Sequence, residues 1–185
     1  MKELSLNLLD VATNSITAKA TKIELTIIYD IVGKLLTLSI KDDGCGMSEE
    51  MLSRVCDPFT TSRTTRKVGL GLPLFKQSAE STGGSFCISS VLNKGTEVTA
   101  TFKTDNIDCM PMGDLTGTII TLLQYAPKIR WVVNYKVDNR EFVFDTKEVS
   151  AILGDVNIDS PEVLSFLGDY IKQNINTTNG GEEIL

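Results

Sequence analysis

The fold is decided by residues 34–47, KLLTLSIKDDGCGM, in which an alternating strand leads directly into a loop of aspartate and glycine. Apolar residues at every second position are typical of a strand with one buried face. Gly44 and Gly46 allow the backbone to turn tightly and to approach a ligand closely. The carboxylate of Asp42, at the end of the strand, can accept hydrogen bonds from an exocyclic amine. Taken alone, this pattern is also typical of an ordinary turn.

A second glycine pair lies in residues 68–74, VGLGLPL, at the start of a helix predicted from about 69 to 81. Backbone N–H groups at the beginning of a helix form an anion site. The flanking Arg63, Arg66 and Lys67 would add positive charge for phosphates. The pattern is neither a Walker A motif nor a full dinucleotide fingerprint. A glycine-rich helix entry that only packs on a sheet is the alternative.

Upstream of the strand, residues 3–18 have apolar side chains at spacings of three and four, which predicts an amphipathic helix. Asp10 and Asn14 are four residues apart and therefore project from one face of this helix. A carboxylate beside a carboxamide suits a Mg²⁺ ion bound through oxygen and water, with a neighbouring base. A solvated polar face is the alternative interpretation.

The remaining periodicity predicts an α+β chain. We expect strands at 22–30, 34–41, 85–91 and 95–103, a short helix from Ser48 to about Val55, and a polar loop at 57–68. A linker containing Pro111 and Gly113 follows. Beyond it we expect a helix at 114–125, a hairpin of 128–137 and 140–145, helices near 146–153 and 161–175, and a mobile tail. The hairpin could extend the sheet or form a partner-binding surface.

Charge divides the 185-residue chain near residue 104. Residues 1–103 carry 12 basic and 11 acidic side chains, whereas residues 104–185 carry 6 basic and 13 acidic ones. We therefore expect a domain at 1–103, an acidic α+β extension at 104–178 and a tail at 179–185. The overall charge of −6 disfavours nucleic-acid binding.

Composition excludes several kinds of chemistry. The chain contains no histidine, so Ser-His-Asp hydrolysis, His-based metal sites and a phosphoaccepting histidine within these residues are ruled out. The four cysteines include no Cys-x-x-Cys pair, which argues against a zinc or thioredoxin-like site. With no secretory signal and no long apolar run, the sequence predicts a cytoplasmic protein without a membrane span.

Five motifs in order resemble the GHKL superfamily of ATP-binding domains, which includes DNA gyrase B, heat-shock chaperones, histidine kinases and MutL-type repair proteins. The resemblance covers residues 2–103. The N box is matched by Asp10…Asn14-Ser-Ile-Thr-Ala18-Lys-Ala20, the G1 box by Asp42-x-Gly44-x-Gly46, the F box of histidine kinases by Asp57-Pro58-Phe59-Thr60-Thr61, the G2 box by Gly69-Leu70-Gly71-Leu72, and the last glycine motif by Lys94-Gly95-Thr96.

The resemblance implies a Bergerat fold, a two-layer α/β sandwich whose mixed sheet has helices on one face, with ATP and Mg²⁺ as ligands. It implies that Asn14 coordinates Mg²⁺, that Asp42 accepts from the adenine amine, and that Asp10 acts as the catalytic base. Residues 57–68 would form a lid over the phosphates. The further ATP contacts that it implies are Ala18, Gly44, Gly46, Met47, Phe59, Thr60, Thr61, Arg63, Arg66, Gly69, Leu70, Gly71, Leu72 and Thr96.

The N box departs from the family pattern in two ways. Many members carry glutamate where this chain has Asp10, which is one methylene shorter and would reach a nucleophile less well. The common acid before Ala18 is replaced by Thr17. A rival register would use Glu3 and Asn7, also four apart, but it removes the correspondence at Ala18 and in the following strand.

Three functions compete for such a domain. The first is transfer of phosphate to a partner protein in trans, as in the anti-sigma-factor serine kinases that the kinase-like lid resembles. The second is an ATPase whose nucleotide drives a conformational switch, and the third is a non-catalytic ATP-sensing module. We slightly favour phosphoryl transfer, because it requires mainly positioning and electrostatic stabilisation. The resemblance makes a homodimer plausible, although no motif carries it.

Overall fold

The computed structural model describes residues 3–55 and 70–181, which form one mixed sheet of six strands with helices packed against it. The strands are β1 (Lys22–Asp30), β2 (Leu35–Asp42), β3 (Phe86–Val91), β4 (Gly95–Lys103), β5 (Arg130–Val137) and β6 (Arg140–Asp145). The helices are α1 (Leu4–Thr17), α2 (Glu49–Arg54), α3 (Gly71–Ser81), α4 (Leu115–Tyr125), α5 (Thr146–Leu153) and α6 (Pro161–Asn179). The sheet order is β3-β4-β2-β1-β5-β6, with only β1 and β5 parallel.

One face of the sheet is buried beneath the helices and the other is polar. In β1, Ile23, Leu25 and Ile27 are buried, and the residues between them are not. This alternation is the period of two that a half-buried strand requires. On the opposite face, the hydroxyls of Ser39 and Thr99 form a hydrogen bond of 3.0 Å. The predicted α+β sandwich is therefore confirmed.

Packing brings three chain segments together at one end of the strands. The apolar stripe of α1 (Leu4, Leu8 and Val11) is buried, and this helix contacts α3, α4 and β2. As a result, the C-terminal end of α1, the end of β2 and the N-terminal end of α3 meet. Their meeting point is the predicted nucleotide site.

The C-terminal hairpin extends the sheet. Strand β5 lies parallel to β1, and β6 pairs with β5 as the outermost strand on that side. Trp131 of β5 is 1% exposed, and its indole Nε1–H donates to the carbonyl oxygen of Ala126 at the end of α4. This contact packs the hairpin onto the end of α4.

Helix boundaries differ from the predicted ones in two places. Helix α3 begins at Gly71 rather than at residue 69, which lies outside the described residues. Helix α6 continues to Asn179 instead of ending near 175, and Gly180 terminates it in the left-handed conformation (φ 77°). Asn and Thr disfavour helix only weakly, so packing of the buried Thr178 overrides that preference. In the described part of the chain, no helix is both long enough and apolar enough to cross a membrane.

Candidate functional site

A cavity of about 290 Å³ opens between α1, the loop that follows β2, and the start of α3. Its walls are mostly apolar, including Val11, Met47 and Val98, and Asp42 contributes a carboxylate. An apolar slot with a few convergent polar groups suits a flat heteroaromatic ring. Of the residues predicted from sequence, those that line it are Asn14, Ala18, Asp42, Gly46, Met47, Leu72 and Thr96.

The carboxylate of Asp42 is held in one orientation by two donors. The Ser15 hydroxyl donates to Oδ2 at 2.6 Å, and the backbone N–H of Gly44 donates to Oδ1 at 2.9 Å. Asp42 is only 9% exposed, so a charge here depends on such partners. Because each carboxylate oxygen has two lone pairs, Asp42 retains acceptor capacity for an amine in the cavity.

Close backbone contacts shape the loop, which is why two of its positions are glycine. A methyl group on Gly44 would lie 2.8 Å from the carbonyl oxygen of Ala18. Gly46 has a φ of +60°, and a methyl group there would overlap the carbonyl oxygen of Val91. The N–H of Cys45 donates to the Ala18 carbonyl at 2.9 Å. The loop is thereby fastened to the end of α1 on one side and to β3 on the other.

Asp43 anchors the loop to the start of β1. Its carboxylate accepts from the N–H and hydroxyl of Thr21 and from the N–H of Lys22, at 2.6 to 2.8 Å. Partial burial alone would raise the pKa of Asp43, but these hydrogen bonds outweigh it and place the pKa below the ordinary value. Asp43 therefore has a structural role, and Asp42 is the aspartate that faces the cavity.

Asp10 and Asn14 lie beside the start of α3. A methyl group on Gly71 would be 3.3 Å from Cβ of Asp10 and 3.9 Å from Nδ2 of Asn14. Desolvation raises the pKa of the Asp10 carboxyl above its ordinary value, which makes it a better proton acceptor, although the residue is exposed and does not line the cavity. The rival residue Asn7 is completely buried and does not line the cavity, so the geometry favours the register with Asn14.

The oxygen donors here fit Mg²⁺ held jointly with phosphates. Among the described residues, no group of three or more His, Cys, Asp or Glu side chains could hold a metal ion alone. Magnesium usually takes one or two protein oxygens and completes its octahedron with water and phosphate. The amide oxygen of Asn14 and the nearby Asp10 meet that requirement.

Some predicted site residues are not part of this cavity. Leu70 precedes α3 and is largely exposed, and it is not among the lining residues. Gly44 and Gly71 act by allowing close approach rather than by lining the cavity. The lid at 57–68 lies outside the described residues. The site predictions that fall outside are Phe59, Thr60, Thr61, Arg63, Arg66 and Gly69.

Two site residues were missed at the level of sequence. Ser15, which orients Asp42, is a buried polar side chain of α1, as Ser5 and Asn7 are, and a polar residue at a position spaced for the core was a usable signal. Ser90 accepts from the N–H of Met47 at 2.8 Å and shares a hydrogen bond of 2.9 Å with the hydroxyl of Thr96. The register of β3 and β4 places Ser90 opposite Thr96. Ser90 therefore links the loop to the strand that closes the cavity.

Comparison with known proteins assigns the family. The family described as "Histidine kinase-, DNA gyrase B-, and HSP90-like ATPase" matches residues 1–106, which is more than half of the chain. The chain belongs to this family, as its motifs predicted. It is 37% identical over 94 residues to sporulation kinase D of Bacillus subtilis, which is 51% of this chain and 18% of that kinase. It is 34% identical over 97 residues to a putative sensor protein of Shewanella frigidimarina, covering 51% of this chain and 15% of that protein.

Solved structures share the fold beyond the matched region. The N-terminal domain of a DNA repair protein superposes with a TM-score of 0.55 at 15% identity, covering 85% of this chain and 59% of that one. The Aquifex aeolicus MutL ATPase domain, complexed with ADP, gives 0.50 at 17% identity and covers 83% of this chain and 69% of that one. The superposed regions contain more residues of this chain than the matched range 1–106 does. The shared fold therefore continues into the C-terminal part.

Proposed function

We propose that this chain binds Mg·ATP in the cavity and transfers the γ-phosphate to a partner protein in trans. The observation that carries the proposal is the oriented Asp42 carboxylate at the base of an apolar slot. An adenine amine would donate to Asp42 while its ring lies against Met47 and Val98. Bound Mg²⁺ would neutralise phosphate charge between Asn14 and the triphosphate.

The phosphates would then extend toward the start of α3. Backbone N–H groups at the first turn of this eleven-residue helix attract anions. Asp10 lies next to that turn and would accept the proton of the attacking group. Attack on the γ-phosphorus breaks its bond to the bridging oxygen, and ADP leaves. The predicted lid residues would complete the phosphate contacts.

Transfer in trans is favoured by the names of the relatives and by the composition. The matched relatives include a sporulation kinase and a sensor histidine kinase of Bacillus subtilis. The 185 residues contain no histidine, so a histidine acceptor would lie outside them. The chain spans less than a fifth of the length of the first two relatives, and their complete activities need not apply to it.

A nucleotide-driven ATPase switch is the second candidate. It is favoured by the structural likeness to a DNA repair protein, which extends into the C-terminal part of the chain. Strand β5 lies directly beside β1. The first residue of β1, Lys22, donates its backbone N–H to Asp43 of the nucleotide loop. A nucleotide-dependent shift of the loop would therefore reach the C-terminal part through hydrogen bonds.

The two candidates predict different fates for the γ-phosphate. We expect the chain to label a protein in an extract of its source organism when given [γ-³²P]ATP, and Asp10→Asn to reduce labelling by about 10²-fold. Glu3→Gln, which changes the carboxylate of the rival register, is the matched control and should label normally. Release of free phosphate without labelled protein favours the switch, and absence of both favours an ATP-sensing module.

The assignment of Asn14 to the metal predicts a metal-specific loss. In Asn14→Ala, we expect the Kd for Mg·ATP to rise by about tenfold, because one oxygen ligand is lost, while the Kd for ATP in EDTA changes little. Isothermal titration calorimetry measures both constants. Thr17→Ala also alters the cavity wall and serves as the control. Equal losses with and without metal in Asn14→Ala would exclude the metal role.

A further inference from the structure

A second cavity, of about 510 Å³, lies at the opposite end of the strands from the nucleotide cavity. Its floor is the buried face of three neighbouring strands. Tyr29 of β1 lies opposite Leu36 of β2, and Ile27 of β1 lies beside Tyr135 of β5. These positions are near the end of β1 and the start of β2, whereas Asp42 is the last residue of β2. The two cavities have no lining residue in common.

Two helices form the walls of the second cavity. One wall is the start of α4, from Gly113 to Thr116. The other is the last part of α6, where Lys172, Asn176 and Asn179 are four and three positions apart and therefore share one helix face. The cavity thus has an apolar floor and a polar rim, and its volume is in the range of small-molecule sites.

The rim has more free donors than free acceptors. The Tyr135 hydroxyl donates to Oδ1 of Asn179 at 2.7 Å, so the Nδ2 protons of Asn179 remain for a ligand. The carboxylate of Asp114 accepts from the N–H of Gly117 at 2.7 Å and is engaged in capping α4. Lys172 supplies three N–H donors and no acceptor, and it forms no ion pair with the part of the chain that the structure describes. An anionic group therefore complements this rim.

We propose that the second cavity binds a small carboxylic acid with a compact apolar body. Its carboxylate accepts from Lys172 Nζ and from Nδ2 of Asn179, and its apolar part lies on the floor formed by Ile27 and Leu36. Charge-assisted hydrogen bonds orient the ligand, and burial of the apolar part adds affinity. The inference goes beyond the proposed function and does not depend on it.

Other classes of ligand complement the second cavity less well. An amine would bring another cation next to Lys172, and a hydrocarbon would leave the donors of Lys172 and Asn179 without partners. A phosphate monoester carries close to two negative charges at neutral pH, whereas the rim offers one lysine. One cation above an apolar floor matches one negative charge on an apolar body.

The experiment compares three probes that differ only in their polar group: hydrocinnamate, its uncharged amide, and phenylpropylamine. Heteronuclear NMR of the whole ¹⁵N-labelled chain should show that hydrocinnamate shifts the amide signals of Thr116 and Asn179 and leaves those of residues 42–47 unchanged. We expect the acid to bind about tenfold more tightly than the amide, because it adds a charge-assisted hydrogen bond, and the amine to bind least.

A pair of lysine variants separates the second cavity from general attraction of an anion. Lys172→Met should weaken hydrocinnamate by about tenfold and leave the amide unchanged, because only the acid uses the ammonium group. Lys147→Met changes the net charge equally on α5, outside the cavity, and should bind as the unaltered chain does. Equal loss in the two variants would overturn the proposal, as would equal affinity for the acid and the amide.

A space-filling variant tests the location independently of charge. Ile175→Trp places a larger side chain in the cavity and should abolish binding of both the acid and the amide. Retained binding in a folded Ile175→Trp, or hydrocinnamate shifts confined to residues 42–47, would also overturn the proposal. Circular dichroism verifies that each variant is folded, and the two lysine variants test the proposal even if Ile175→Trp does not fold.

Discussion

Replacement of Asp42 by asparagine is expected to raise the Kd for ATP by about 10- to 100-fold. Both carboxylate oxygens already accept a hydrogen bond, from Ser15 and from the N–H of Gly44. Asparagine replaces one of these oxygens with an NH₂ group, which places a donor against a donor. Either the adenine amine or the Ser15 hydroxyl then loses its hydrogen-bond acceptor. Isothermal titration calorimetry with ATP, with and without Mg²⁺, measures the effect.

The control for this prediction is Asp30→Asn at the opposite end of the sheet. Asp30 accepts from the N–H of Gly33 in the turn between β1 and β2, far from the cavity. We expect this variant to bind ATP as the unaltered chain does. If Asp42→Asn folds and binds ATP with unchanged affinity, the adenine assignment fails. If Asp42→Asn binds GTP more tightly and ATP more weakly, the purine still lies at residue 42, and this residue recognises the exocyclic amine of adenine.

Local sequence patterns predicted most of the fold, because the strongest signals coincide with buried faces. The alternation in residues 34–41 and the stripe of α1 each reflect one side of an element packed on the core. The position of the C-terminal hairpin could not be predicted in the same way. Its alternating pattern fits a sheet edge or a separate surface, and only the pairing of β5 with β1 distinguishes the two.

Motifs point to candidate residues that carry chemistry, whereas residues that only support another are missed. Asp42, Asn14 and Gly46 stand out by type and spacing, and the structure brings them to one cavity. Ser15 and Ser90 act through hydrogen bonds to Asp42 and Thr96, and serine is common enough that its presence alone indicates little. The non-equivalence of Asp42 and Asp43 likewise depends on which way each side chain points. That direction follows from the pairing of Thr21 and Lys22 with the loop.

The second large effect concerns stability and the role of β5. We expect Trp131→Ala to lower the free energy of unfolding by about 3–5 kcal/mol, the usual cost of removing a buried tryptophan side chain. The indole lies between the sheet and α4, donates to Ala126, and stands beside Ile23 of β1 in the ladder. Its loss leaves a cavity at the junction between the matched family region and the C-terminal part. Urea unfolding followed by far-ultraviolet circular dichroism measures the change.

The number of transitions in the urea unfolding curve reports whether the two parts of the chain unfold together. Because β5 pairs with β1 and α4 packs on α1, we expect a single transition, in which the nucleotide loop unfolds together with the C-terminal strands. Added Mg·ATP should then shift the whole transition upward, since a ligand bound only to the folded state stabilises everything that unfolds with its site. Tyr125→Ala removes a 70% exposed aromatic side chain at the end of α4 and should cost little. Two transitions, of which Mg·ATP shifts only one, would mean that residues 1–103 fold independently of the extension despite sharing its sheet.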